Sequence, residues 1–177
     1  MIRKLHLSAL ALVLLTSFIS GCATAEPSVL SYIRQDGQQF IRIDPAEETV
    51  KFIGKDSQES DFGGLIKQCN AAGFRCLNLS GYFLSTPHGG SASDSWSVGG
   101  ANFTVVGHAD RGNDEVWLIQ VSVKGDSYMS YTFSEKRGVE SISLQQEGAT
   151  PDLAKTYFLV GNYGLLTETA RPHAPHP

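Results

Sequence analysis

Glu115-Val116-Trp117-Leu118-Ile119-Gln120-Val121-Ser122-Val123, followed by Lys124-Gly125-Asp126 and then by Ser127-Tyr128-Met129-Ser130-Tyr131-Thr132-Phe133-Ser134, decides how this chain folds. Trp117, Ile119, Val121 and Val123 alternate with Val116, Leu118, Gln120 and Ser122, so one face is strongly apolar and the other only partly so. Met129, Tyr131 and Phe133 repeat the pattern against Ser130, Thr132 and Ser134. A period of two sends successive side chains to opposite faces of a strand. Gly125-Asp126 fits a two-residue type II′ connection between the two runs, so the stretch reads as a long hairpin with a buried face.

Working outward, the same period recurs in short segments separated by turn residues. Strands are expected at 139–144 and 157–160, with a further short one at 164–167 and a single helical turn at 151–155. Toward the N-terminus, strands at 29–34 and 38–43 flank Asp36-Gly37, a pair suited to a type I′ turn, and a third strand covers 49–53. Strands are also expected at 74–79 and 103–106. Phe62, Leu65, Ile66 and Cys69 fall at i, i+3, i+4 and i+7, which predicts a short helix with Asp61 as its N-cap and Gly73 as its stop. The expected fold class is therefore α+β and mostly β. It is an antiparallel meander or partly closed barrel of short strands with one short helix stapled by a disulfide.

The chain has 177 residues, 41% of them hydrophobic, with a formal net charge of −4. That length suits one ordinary domain, assigned to residues 29–167, and the apolar share excludes a wholly disordered chain. An acidic balance argues against a nucleic-acid partner, which needs a concentrated basic surface. Residues 168–177 end in Arg171-Pro172-His173-Ala174-Pro175-His176-Pro177, too rich in proline for helix or sheet, and read as a disordered tail.

At the other end, Arg3 and Lys4 precede an almost wholly apolar run from Leu7 to Ile19. A stable membrane-spanning helix needs about 20 apolar residues, so the run reads as the core of an export signal. It closes in Ile19-Ser20-Gly21-Cys22, which resembles the lipobox of bacterial lipoproteins. The resemblance covers residues 1–22. It implies that residues 1–21 are a signal peptide, that Cys22 carries the lipid and that residues 22–28 are a tether. It also implies a protein held at a membrane of the cell envelope, with Ala23 compatible with the outer membrane and a periplasm-facing location. Loss of the signal takes away two of the 14 basic residues, leaving 12 against 18 acidic ones and a net charge of −6. Such a domain is repelled by anionic head groups, so the lipid has to supply membrane affinity.

With Cys22 committed to lipid, Cys69 and Cys76 remain, an even pair in an exported chain, and a structural disulfide is expected. A redox pair usually has two intervening residues, and a zinc site needs more ligands nearby than this segment offers.

The longest stretch without periodicity, residues 85–101, includes Pro87-His88-Gly89-Gly90, Asp94, Trp96 and Gly99-Gly100. With the polar run His108-Ala109-Asp110-Arg111-Gly112-Asn113-Asp114-Glu115 it is the candidate binding region, represented by His88, Asp94, Trp96, His108 and Asp110. Trp96 either pins this segment to the core or offers a ligand a stacking face, and pinning is the preferred reading. The polar run lacks the order of a calcium-binding EF-hand, and no metal site or cofactor is expected. Phosphate-cradling and dinucleotide motifs are absent. A serine hydrolase could draw on Ser91, Ser93 or Ser95 with His88 or His108 as base and Asp94 or Asp110 as orienter. No Gly-x-Ser-x-Gly elbow occurs, however, and no catalytic residue is assigned. The expectation is a lipid-anchored envelope domain that binds or supports another envelope protein or a glycan without catalysis. A small periplasmic serine-type hydrolase using the 85–110 region is the alternative.

Overall fold

A computed structural model of the chain describes residues 29–45, 47–55, 59–61, 66–69, 71–79, 81–88, 94–124, 126–145 and 155–167. The expectations for the signal, Cys22, the tether, the C-terminal tail, Ser91, Ser93 and the helical turn lie outside the described residues, apart from Val29 and Lys155 at their margins.

Thirteen strands are formed among the described residues. β1 (Leu30–Arg34), β2 (Gln39–Asp44), β3 (Thr49–Gly54) and β4 (Glu59–Asp61) make a first meander. β5 (Ile66–Gln68), β6 (Phe74–Leu79) and β7 (Tyr82–Pro87) make a small sheet. β8 (Ser95–Val98), β9 (Ala101–Asp110), β10 (Glu115–Val123), β11 (Asp126–Ser134), β12 (Gly138–Leu144) and β13 (Lys155–Leu159) make a second meander. The two meanders fuse where β1 pairs with β13, giving one antiparallel ten-stranded sheet in the order β4-β3-β2-β1-β13-β12-β11-β10-β9-β8.

The fold is all-β among the described residues, not α+β, and the expected helix at 61–73 is absent. Residues 59–61 and 66–68 are strands instead, with Ile66 opposite Leu79 and Gln68 opposite Leu77. Gly63 and Gly64 lie within the expected helix, and each costs about 1 kcal/mol there relative to alanine. Residues 66–68 instead pair along one side with β6. The disulfide is present, Cys69 to Cys76 with Cα atoms 5.1 Å apart. It links strand end to strand rather than helix to strand, and the Cys69 N–H donates to the Cys76 carbonyl at 3.2 Å.

Three turns also differ from expectation. Only Gly37 has positive φ at the β1–β2 connection, where its N–H donates to the Arg34 carbonyl, so this is a four-residue loop and not a type I′ pair. Asp36 holds it from the side chain, accepting from the Gln38 N–H at 2.9 Å and pairing with Arg34 at 2.7 Å. At the long hairpin Val123 faces Asp126, so Asp126 already belongs to β11 rather than to the connection, and Lys124 has φ 53°. Residues 164–167 form no strand. Leu166 sits at φ 66°, and the segment folds back so that Val139 N–H donates to the Leu165 carbonyl and Gly164 N–H to the Arg137 carbonyl.

The inner face of the large sheet carries the core, including Tyr32, Ile43, Phe103, Ile119, Tyr131 and Phe133, all fully buried. The β6–β7 hairpin packs on it with both faces. Arg75 lies 5.3 Å over the Phe133 ring of β11, while Phe74, on the opposite side of β6, stacks on Trp96 of β8 at 6.2 Å. Since neighbouring residues of a strand point to opposite sides, the sheet must curl about the hairpin. It stays open, because β4 and β8 end the strand order without pairing.

Candidate functional site

Curling around the hairpin leaves one apolar cleft. Ile41 and Ile43 of β2, Val50 and Phe52 of β3, and Met129, Ile142 and Leu144 of β11 and β12 form its floor and one wall, and Leu79 and Tyr82 from the hairpin close the other side. Its empty space, counting the mouth open to solvent, is about 340 Å³. The floor exists because inward positions of four strands are aliphatic or aromatic at period two, and the hairpin turn covers only part of them. The space within it that admits a water-sized group is about 20 Å³, so it is a shallow apolar depression, with no titratable group other than the Tyr82 phenol in its lining. It holds nothing with which to activate water or a carbonyl.

Tyrosines of β11 hold the hairpin over this floor. The Tyr131 hydroxyl accepts from the Ser85 N–H at 3.1 Å and donates to the Ser85 carbonyl, and the Tyr128 hydroxyl accepts from the Phe83 N–H at 3.3 Å. Side chains thus satisfy backbone groups along the β7 edge that no strand pairs. Burial pushes both phenols up from their ordinary value.

The residues singled out from the sequence are placed as follows. Trp96 is not in a loop. It belongs to β8, is 7% exposed, stacks on Phe103 at 5.5 Å and donates from Nε1 to the Ser85 Oγ at 3.2 Å. It pins this region to the core and offers no stacking face. His88 and Asp94 are exposed at the ends of the segment linking β7 to β8. His108 and Asp110 are exposed on β9, which runs on through the part expected to be loop. Among the described residues no side-chain hydrogen bond joins His88, Asp94, His108 and Asp110, and no group of His, Cys, Asp or Glu could hold a metal. Ser85, fully buried, is engaged by Trp96. Asp114, in the polar run, is taken up by Arg111 at 2.7 Å, and Arg111 N–H donates to the Asp114 carbonyl. That run is an ordinary polar hairpin connection.

Comparison with protein-family models, with curated proteins and with solved structures found no match. Its own residues are therefore what any reading of the chain rests on.

The most organised polar cluster lies at the end of the sheet away from the cleft; its Arg111 and Asp114 belong to the polar run seen in the sequence, but nothing there marks Arg137 and Glu140 as their partners. Glu140 accepts from Arg111 at 2.7 and 2.9 Å and from Arg137 at 3.0 Å, while Arg137 also donates to the Asn162 and Gly161 carbonyls. The Arg111 hydrogen bond holds the Glu140 carboxyl below its ordinary value. Burial pushes the Asp114 carboxyl up, but hydrogen bonds from Arg111, Ser134 and the Lys136 backbone outweigh that and hold it low. Both carboxylates are ionised and neutralised by arginine, a structural clamp rather than an acid and base pair. A second pair, Arg75 with Glu135, is buried on the arginine side. Among the described residues, Arg75 Nε and Nη1 and the neighbouring Thr86 Oγ1 are buried without a hydrogen-bond partner.

Proposed function

We propose that the protein is a lipid-anchored domain of the bacterial cell envelope that works by binding rather than by catalysis, and that the cleft between β2, β3, β11, β12 and the β6–β7 hairpin receives an apolar side chain of a protein partner. The cleft carries this reading: it is a preformed, partly open hollow lined by apolar residues. Interfaces concentrate their energy where such a pocket takes one large apolar anchor and excludes water. The lipobox-like Ile19-Ser20-Gly21-Cys22 supports the anchor and hence the envelope. The dispersal of His88, Asp94, His108 and Asp110 weighs against the hydrolase reading.

Leu144 lines the cleft and is only partly buried, so it can be replaced without emptying the core. A photo-crosslinking phenylalanine analogue at position 144, in the full chain in living cells, should give an adduct of one defined mass. The same group at Leu118, on the outer face of β10, should give none. Equal adduct patterns at the two positions, or none at 144, would remove the cleft from the account. Processing and membrane fractionation of a Cys22→Ser chain test the anchor separately.

A further inference from the structure

On the outer face of the large sheet the register places four large apolar residues in one straight row across four adjacent strands. Phe158 of β13 faces Ile33 of β1, Ile33 faces Phe40 of β2, and Phe40 faces Ile53 of β3. Phe158 is 46% and Phe40 37% exposed, and Val160, two residues beyond Phe158 and on the same face, is 53% exposed. At about 4.8 Å per strand the row is roughly 14 Å long. Beside it runs a second row, Ser31, Arg42 and Lys51, which brings Arg42 next to the aromatic rings, while at the β4 margin Asp61 stands opposite Lys51 and Glu59 opposite Ile53. Singly exposed apolar residues are ordinary, whereas a contiguous row marks a surface that meets something.

We infer that this face, the outer side of β13-β1-β2-β3, lies against the bilayer to which the chain is anchored, with Phe40 and Phe158 entering the boundary between head groups and acyl chains. The inference rests on the anchored reading above. Its argument is the path of the chain. β1, at the centre of the row, starts at Leu30, eight residues after Cys22, and a chain of that length spans at most about 28 Å. A surface held so close meets the bilayer at high effective concentration, so a patch too small to bind from solution binds once tethered. Arg42 can reach lipid phosphates from beside the apolar row. Because the mature domain as a whole is acidic, insertion of the rings and not attraction to anionic lipid drives the contact. On β2 and β3 the cleft-lining residues lie on the opposite face, turned away from the membrane.

The test uses the mature lipidated chain in vesicles of phosphatidylethanolamine and phosphatidylcholine with brominated acyl chains, carrying Phe158→Trp or, three strands away on the same face, Leu118→Trp. The native Trp96 and Trp117 are buried and give a constant background. Tryptophan at 158 should lose at least half of its added emission to bromine and shift to the blue, while tryptophan at 118 and the parent chain should not respond. Adding phosphatidylglycerol should not increase the quenching. Protein that floats with the vesicles while position 158 is quenched no more than 118 overturns the docked face and leaves the anchor standing. Protein that does not float overturns both.

Discussion

Two buried residues show how far single atoms decide this structure. Thr86 is fully buried with its hydroxyl unpartnered, so Thr86→Val, nearly the same in shape, removes the cost of a desolvated polar group. It should raise stability to denaturant by about 1 kcal/mol. A loss of stability would show that the hydroxyl is bonded to an ordered water. Gly164 is the opposite case. A Cβ there would stand 2.0 Å from the Val139 carbonyl oxygen and 2.8 Å from the Tyr32 hydroxyl, which itself donates to Val139 O and accepts from the Leu165 N–H. Gly164→Ala should cost about 1–3 kcal/mol, read from the urea midpoint, and disturb the Tyr32 environment in near-ultraviolet circular dichroism. Neither site is legible in the sequence. A threonine at period two in β7 looks like any other, and Gly164 owes its role to a contact with a residue 25 positions earlier.

At the scale of elements, strands with a clean period of two and turn residues at both ends were legible: β6 and β10 have the expected bounds, and β1, β2, β3, β11 and β12 lie within a residue of theirs. The misses have physical causes. β8 was hidden because Gly99-Gly100 was read as part of a long loop. Both glycines have positive φ, 65° and 86°, and turn a tight hairpin that pairs Val98 with Ala101 and Trp96 with Phe103. Bulges hid the site-forming side chains. Each of the three register shifts leaves one residue extra, Val106 in β9, Tyr128 in β11 and Glu140 in β12, and a bulge re-aims that side chain. Strict alternation puts Tyr128 on the outer face, yet it bonds the Phe83 amide. Glu140, similarly displaced, becomes the centre of the arginine clamp. The clamp has a consequence for pH. Asp114 and Glu140 are held below their ordinary values of 3.8 and 4.5, so their contribution is complete above those values and is lost as pH falls toward the lower folded ones. Thermal midpoints should be flat from neutral pH to about 5 and fall below 4.5, and Glu140→Gln should flatten part of that fall. The disulfide belongs to this scale too. Opening its short loop by Cys69→Ser with Cys76→Ser should cost about 2.5 kcal/mol in the chain-entropy account, measured as a lower urea midpoint at unchanged slope.

For the whole molecule, the pairing of the first and last strands is what makes one sheet out of two meanders. Tyr32 and Leu165, joined through hydroxyl and amide, stand 133 positions apart. Composition and period gave no indication of that pairing, since any two edge strands of suitable pattern could have met. The order of synthesis then matters. Until β13 has left the ribosome, β1 and β12 each present an unsatisfied edge of polar backbone in the middle of the future sheet, and the hairpin that the sheet wraps has only half a trough. A chain cut short before residue 155 is therefore expected to be a sticky pair of fragments rather than a slightly smaller protein, and its fate in the cell would be decided by chaperones and proteases, not by its ligand.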